Sequence, residues 1–577
     1  MKISSVHIQG FRNFIDESIN LDDKTLIVGG NDTGKSNLLY ALRILFDSTL
    51  SSRDLELNSS DFCIHSETKR IVITAKLEEV SEDCLVSVFQ GALKDGVVCV
   101  RYSLEHDAEY EIAIGYDEDN MDVCQGRPYV KHLSLEYVGS NRDLTAFLRR
   151  QQNKLLNISR DQRSEQETDD DNESVELIQK NLTDLNNDIS SLHYVSESLV
   201  AVNDEMSNLS IGNTGYTARL VAGNTDANKL LDNLQLAYLL GESPLVFGGD
   251  GRGNQLYFAT WISEQRLNHQ QEKVTIYAIE EPEAHLHPHQ QRRLAEYLST
   301  VVNGQVIITT HSPQIAERFS SGRVLRLLSN GPNSTSVARG CDVAIDEAIK
   351  GLGYRLNSIS SEVLFSSGVL LVEGPSEKIF YVALAQALNM DLDYMNISVL
   401  SVDGVGFEPY VRACKALSIP YALRTDNDVF GIGTTAKRKL AGLRRLSAIA
   451  KYYLCDKTLE ELIDERMPNT SWEGSDEIPV AARNAIEKMK PLLSKHGLFL
   501  SEYKDLEHDL AASSLKMELI EHFKPAGEDK LVEVMQHRKA ENMHGFIATN
   551  PRLCNLSENP LAEPLAYIVG LVTGEQA

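Results

Sequence analysis

The chain has 577 residues, 42% apolar and 24% charged, with a formal net charge of −27. These proportions fit a soluble globular protein of roughly two to four domains. They exclude a membrane span, since no apolar run nears about 18 residues, and they exclude a general DNA-coating protein, which would be basic.

In chain order, "ISSVHIQGF" and "KTLIVGG" read as strands and "KSNLLYALRILF" as a helix. "KRIVITAKLEEV" and "GVVCVRYSLEH" continue as a meander of strands. "DLTAFLRRQQNKLLNISRD" turns helical. The acidic "RSEQETDDDNESVE" reads as a solvated loop, and the next 35 residues regain helical spacing. This makes about 150–235 a helical insertion. "VTIYAIEEPE" and "QVIITTHSP" are strands with the helix "PHQQRRLAEYLSTVV" between them, a βαβ rhythm that implies a parallel sheet. A second βα series follows in "GVLLVEGPSEKIFYVALAQAL", "ISVLSVDG" and "YALRTDND". Two α/β lobes are expected, 1–345 and 346–577, each with its own sheet, joined within residues 343–365. Eight scattered cysteines without a CxxC pair and an N-terminus without a signal-peptide core point to reduced thiols and a cytoplasmic protein.

"GGNDTGKS" spans Gly29 to Ser36, follows a strand and opens a helix. Its glycines let backbone N–H groups wrap a phosphate, and the helix N-terminus adds positive potential. Gly34, Lys35 and Ser36 are the core of the expected ATP site, with Lys35 on the β- and γ-phosphates and Ser36 on Mg²⁺. Asn31 and Asn37 flank it. The strand ending in Glu280 and Glu281 supplies a metal carboxylate and a residue to polarise the attacking water. His311 follows another apolar strand, placed to sense the γ-phosphate.

Together with "GFRNF" and "EEPEAHLHP", these motifs resemble the ABC-type ATPases of the SMC, RecF and Rad50 group. The resemblance implies nucleotide held between two heads, Arg12 beside it, and a signature segment in trans. The candidate segment is "FGGDGRGNQL", with Gly249, Asp250 and Gly251. Glu280 stands where many such ATPases have aspartate. The insertion is too short for a coiled-coil arm, which leaves a dimerisation insert or a partner-binding hairpin.

In the second lobe Glu373 ends a strand, Glu377 lies on the following helix, and Asp426 and Asp428 end another strand. Strand ends on one edge of a parallel sheet converge. Clustered acids repel unless a cation sits among them, and all-oxygen sites favour Mg²⁺, Mn²⁺ or Ca²⁺. Such ions activate water and stabilise the leaving oxygen of a phosphodiester.

The E-G-x-x-E … D-x-D order, with Gly404 and Gly406 in "VDGVGF", resembles the Toprim fold. No tyrosine is singled out for a topoisomerase and no primase module is present, so metal-assisted hydrolysis is the simplest chemistry. An ABC-type head followed by Toprim resembles the OLD (overcoming lysogenization defect) nucleases. "LLVEGPSEKI" and "RTDND" are most similar to the nuclease–ATPase subunits of Gabija anti-phage systems. The resemblance implies further acids after the D-x-D, Glu507 and Asp509 with Asp505 as the alternative, and a catalytic lysine, Lys539. It implies double-stranded DNA as substrate, a homotetramer, a UvrD-like helicase partner (GajB), and nucleotide that restrains cutting. The competing reading is a RecF- or SMC-like repair ATPase whose Toprim-like lobe only binds. "AKRKLAGLRRL" beside the acids is either a DNA-backbone contact or a solvated helix face.

Overall fold

The computed structural model describes residues 1–66, 69–106, 108–140, 144–209, 218, 226–227, 231, 238–240, 243–245, 250–267, 273–300, 302–319, 322–329, 335–337, 362–404, 406–431, 437–454, 457–473 and 478–574. The segment expected to join the lobes falls mostly outside them, as do Gly249 and the side chain of Asp250.

Strands of the first sheet divide into two kinds. Met121–Cys124, Glu111–Gly115, Val98–Glu105, Arg70–Glu78, Lys2–Phe11 and Phe14–Asn20 form an antiparallel wing in that spatial order. Arg323–Ser329, Lys24–Gly29, Val306–Thr309, Val274–Glu280 and Leu133–Val138 form a parallel core. Thr335–Val337 connects wing to core, which makes twelve strands. The parallel strands read as near-continuous apolar runs, as strands covered on both faces must. The helix Lys35–Phe46 buries Leu38, Leu39, Leu42, Leu45 and Phe46. The expected βαβ unit is present: Val274–Glu280 and Val306–Thr309 pair in parallel, with the helix Pro288–Thr300 between them in sequence.

A second sheet has four parallel strands in the order Ile397–Ser401, Gly368–Val372, Tyr421–Thr425, Leu498–Leu500. The first strand in sequence therefore lies between the second and the third. Chain progression reverses there, and the crevice outside the carboxyl ends of Gly368–Val372 and Tyr421–Thr425 is where such sheets bind ligands. Val369, Leu370, Leu371 and Val372 are fully buried. Each contributes about 1.5–3 kcal/mol over an exposed side chain, which fixes the strand that ends in Glu373.

Both sheets belong to one compact unit, Met1–Ser140 with Glu272–Glu283 and Pro288–Ala577. Residues Asn141–Gln271 with Ala284–His287 form the other. This second unit contains the helices Leu144–Asp161, Glu165–Ser191, His193–Leu209 and Asp250–Leu267. Gly251 packs there against the carbonyl of His285: a Cβ would lie 2.7 Å from that oxygen. The acidic stretch expected as a loop is helical from Glu165 onward. The hydroxyl of Ser164 accepts from the Glu167 N–H at 3.3 Å, and the Glu167 carboxylate accepts from the Ser164 N–H at 2.8 Å. That reciprocal cap, acids near a helix N-terminus and the good helix propensity of glutamate outweigh the charge density.

Candidate functional site

The carboxyl ends of Lys24–Gly29, Val306–Thr309 and Val274–Glu280 lie side by side. Gly29, Glu280, Glu281 and His311 are therefore brought to one edge by strand order alone. Gly34 caps the helix Lys35–Phe46 at φ 96°, and a Cβ there would lie 2.4 Å from Asn13 Nδ2. Glycine is required at this position for both reasons. Lys35 is buried and donates to the carbonyls of Gly29 at 3.1 Å and Gly30 at 2.7 Å. Burial holds its ammonium below the usual lysine range.

Glu280 is buried and accepts from the Ser36 hydroxyl through one oxygen and from the Tyr137 hydroxyl through the other. Serine and glutamate thus share the position expected for the nucleotide's magnesium. Tyr137 was not legible in sequence; its only signal was a tyrosine at the end of the neighbouring strand Leu133–Val138. Arg12 donates to Asp61 at 2.9 Å and to Asn37 at 2.8 Å, and its guanidinium lies 4.5 Å from the Tyr40 ring centroid. His311 Nε2 lies 3.4 Å from Glu281. Burial and then Lys35 hold the imidazole below its usual range, which favours its neutral form. Glu283 accepts from the Thr310 hydroxyl at 2.8 Å and from the His311 N–H at 2.6 Å, which anchors the loop that carries the histidine. A cleft of about 910 Å³ is lined by Arg12, Asn31, Lys35, Ser36, Glu281 and His311 among others. Lys35→Ala removes the charge expected on the phosphates. A charge-assisted hydrogen bond contributes about 1.5–3 kcal/mol, so ATP affinity measured by calorimetry should fall about 10- to 100-fold.

In the second sheet, Glu373 Oε1 accepts from Thr425, from the Asp426 N–H at 3.0 Å and from Arg445 at 2.5 Å. These bonds tie together the two strand ends that flank the switch point. Glu377 Oε2 accepts from the N–H groups of Glu373 at 2.7 Å and Gly374 at 3.1 Å, while Oε1 takes Arg424 at 2.5 Å. Arg424 is buried and also donates to Ser501 at 2.9 Å and Asp509 at 2.8 Å. Asp509 accepts besides from the N–H groups of Glu502 and Tyr503. Lys539 lies 2.9 Å from Glu507 and 3.7 Å from Asp505. Asp505 also caps its helix, accepting from the His508 N–H at 3.0 Å, and takes Gln536 at 2.6 Å. Asp428 is exposed and lies 3.6 Å from Lys504.

Among the described residues no group of three or more Asp, Glu, His or Cys stands in ligand geometry. The acids of the site are paired with fixed cations. The reason is the repulsion that crowding produces: Arg424 neutralises Glu377 and Asp509, and Lys539 neutralises Glu507. Glu373 Oε2 and Asp426 Oδ2 take no donor among the described residues. Asp426 is pushed up to about 8 by burial and then by the charge of Glu377, the condition a cation relieves. Two carboxylates with open oxygens fit a hard divalent ion that fills its remaining positions with water and substrate phosphate, as Mg²⁺ does.

Residues 1–240 and 249–316 match the family described as an AAA ATPase domain. Residues 364–428 match the "Overcoming lysogenization defect protein-like, TOPRIM domain". The chain belongs to the OLD family of ATPase–Toprim proteins. It is 27% identical over 538 residues to a protein of Bacillus cereus (strain VD045) named Endonuclease GajA, covering 88% of this chain and 89% of that one. It is 33% identical over 225 residues to the OLD nuclease of Thermus scotoductus, covering 37% and 42%. To the Old nuclease of Escherichia phage P2 it is 23% identical, covering 70% and 73%.

Within this OLD-family protein the basic stretch reads differently in three dimensions. Lys437–Leu440 is a strand, Ala441–Tyr453 a helix, and Arg445 turns inward onto Glu373. Gly442 packs its backbone on the Asp426 carbonyl; a Cβ there would lie 2.2 Å from that oxygen. Gly442→Ala should destabilise the OLD Toprim lobe by about 1–3 kcal/mol, the usual cost of overpacking. A thermal melt unchanged from wild type would contradict that packing. Gly404, at φ 126°, donates its N–H to the Glu373 carbonyl at 2.9 Å and closes the loop beside the site.

Proposed function

We propose that this protein is a divalent-metal-dependent endonuclease that nicks or cuts double-stranded DNA at the Toprim centre. ATP bound at the P-loop restrains cutting, and the setting is anti-phage defence in the cytoplasm. The observation that carries the reading is that Glu373 and Asp426 follow adjacent parallel strands at the switch point, joined through the Asp426 N–H, each with one carboxylate oxygen that takes no donor among the described residues. The named relatives support it, since two sorts of nuclease match across one or both parts of the chain. Homotetramer formation and a separate UvrD-like helicase subunit, GajB, belong to the same proposal. Among the described residues no helix is long and apolar enough to cross a membrane.

In this reading Glu373 and Asp426 hold the ion, which is Mg²⁺, Mn²⁺ or Ca²⁺ by ligand chemistry. When bound it would polarise the phosphate and lower the pKa of the attacking water. Arg445 and Lys539 supply fixed positive charge for the phosphate oxygens as negative charge builds on them. Arg424 keeps Glu377 and Asp509 in place and out of the reaction. At the nucleotide site Ser36 and Glu280 hold Mg²⁺, Lys35 binds the phosphates, and Glu281 with His311 addresses the γ-phosphate.

The commitment of Glu377 and Asp509 to Arg424 favours a second reading: a RecF- or SMC-like ATPase with a non-catalytic Toprim lobe. Incubation of purified protein with supercoiled plasmid separates the two. Nicked or linear product with Mg²⁺ or Mn²⁺, absent in chelator and reduced by ATP, is expected; intact plasmid under every metal condition would support the second reading.

A further inference from the structure

Arg326 lies in the strand Arg323–Ser329 of the first sheet, yet its side-chain hydrogen bonds go to segments that lead into strands of the second. It is 7% exposed. Nη2 donates to the Ser366 carbonyl at 2.6 Å, and Nη1 to the carbonyls of Leu417 at 3.3 Å and Ser418 at 3.4 Å. Three main-chain carbonyls thus share one buried guanidinium. A buried charge is retained only where fixed dipoles compensate it, and removing such a donor leaves all of those acceptors in want of a partner.

The three carbonyls occupy a telling place. Ser366 lies two residues before the strand Gly368–Val372, whose far end carries Glu373. Leu417 and Ser418 lie just before the strand Tyr421–Thr425, whose far end carries Asp426. These are the two strands that flank the switch point, and Ser418 sits in the turn into the second of them at φ 51°. Five residues of strand span roughly 17 Å at about 3.3 Å per residue, and a packed strand moves as a rod rather than absorbing a shift along its length.

The main chain of Arg326 adjoins the P-loop strand. Arg326 pairs with Val28 and Leu327 with Gly29 in parallel register with the P-loop strand. The contact is close: a Cβ on Gly29, whose φ is 157°, would lie 2.8 Å from the Leu327 carbonyl. A shift of the P-loop backbone at Gly29 would press on the Leu327 carbonyl, one residue beyond Arg326.

We infer that Arg326 is a positioning residue that couples the nucleotide site to the nuclease centre, by fixing the entry ends of the two strands whose exit ends present Glu373 and Asp426. This rests on the proposed control of cutting by ATP, and it names the physical link. Coupling between sites typically runs about 5- to 150-fold. It requires one element that both sites bias, and the Arg326 strand adjoins both the P-loop strand and the lead-in to the strand that ends in Glu373.

The test uses the full chain and the variants Arg326→Met and Arg326→Lys. ATP affinity by calorimetry is expected to stay near wild type, and nicking of plasmid without ATP to fall by less than the loss of ATP control. The ratio of nicking without ATP to nicking with ATP is expected to collapse to within about 2-fold for methionine, with lysine intermediate, since residues along a coupling path modulate it without touching either ligand. A merely structural role would lower both rates together. A wild-type ratio in both variants overturns the inference. Should the variants fail to fold, hydrogen exchange on the wild-type chain decides: ATP should alter protection in 368–372 and 421–425 as well as around the P-loop. Change confined to the P-loop overturns the inference. This second measurement needs no cleavage, so a protein that proves unable to cut DNA would refute the nuclease reading and still leave the link testable.

Discussion

Asp426→Asn is expected to lower plasmid nicking by more than about 100-fold, a loss that removal of even an outer partner of a metal site can reach. ATP affinity should change little, because Asp426 follows a strand of the second sheet while Lys35 opens the helix after a strand of the first. The fold should also survive. Burial and the neighbouring Glu377 push the Asp426 carboxyl up to about 8, toward the neutral form whose shape asparagine matches. Stability should fall by less than about 1 kcal/mol, within the range of a mild substitution. Asp428→Asn is the informative comparison. Its side chain is exposed beside Lys504, so its effect should be markedly smaller than that of Asp426→Asn. Equal losses at both positions would mean that the D-x-D segment rearranges when it binds an ion. Undiminished nicking by Asp426→Asn would remove the switch point as the seat of cleavage.

Arg424→Met should cost about 3–5 kcal/mol, the usual result of deleting one partner of a buried ion pair. The energy lies less in the lost attraction than in what remains: Glu377 and Asp509, both buried, with no counter-charge. Burial already holds Glu377 above the usual carboxylate range, and loss of the arginine pushes it further toward its protonated form. A urea titration followed by tyrosine fluorescence should show the midpoint move sharply downward. Adding Glu377→Gln and Asp509→Asn to the methionine variant should recover most of the loss, since neutral groups no longer need the arginine. Two outcomes contradict this account: a methionine variant as stable as wild type, or a triple variant no better than the single one.

These expectations depend on side chains that no local pattern groups together. Arg424 interrupts the otherwise apolar "YALRT", and an arginine in a buried strand is a sign that acids wait inside; that sign was available but does not say which acids. Arg445, in a run of basic residues that reads as a DNA contact, faces Glu373, 72 positions earlier. Tyr137 meets Glu280 across 143 positions. The acidic run at 163–176 reads as a loop by its charge, and it is helical because Ser164 and Glu167 cap it reciprocally.

By itself the amino-acid order determined the P-loop and the helix it opens, the apolar strands, and the acids at their ends. Each of these follows from neighbours within a few residues, where periodicity, glycine and capping act. Strand order and register decided the rest: that Glu373 and Asp426 meet, that Glu377 and Asp509 turn to an arginine, that Asp428 faces solvent, and that Arg326 reaches from one sheet to the other. Those pairings join residues far apart along the chain, and their energy exists only once the sheets have formed.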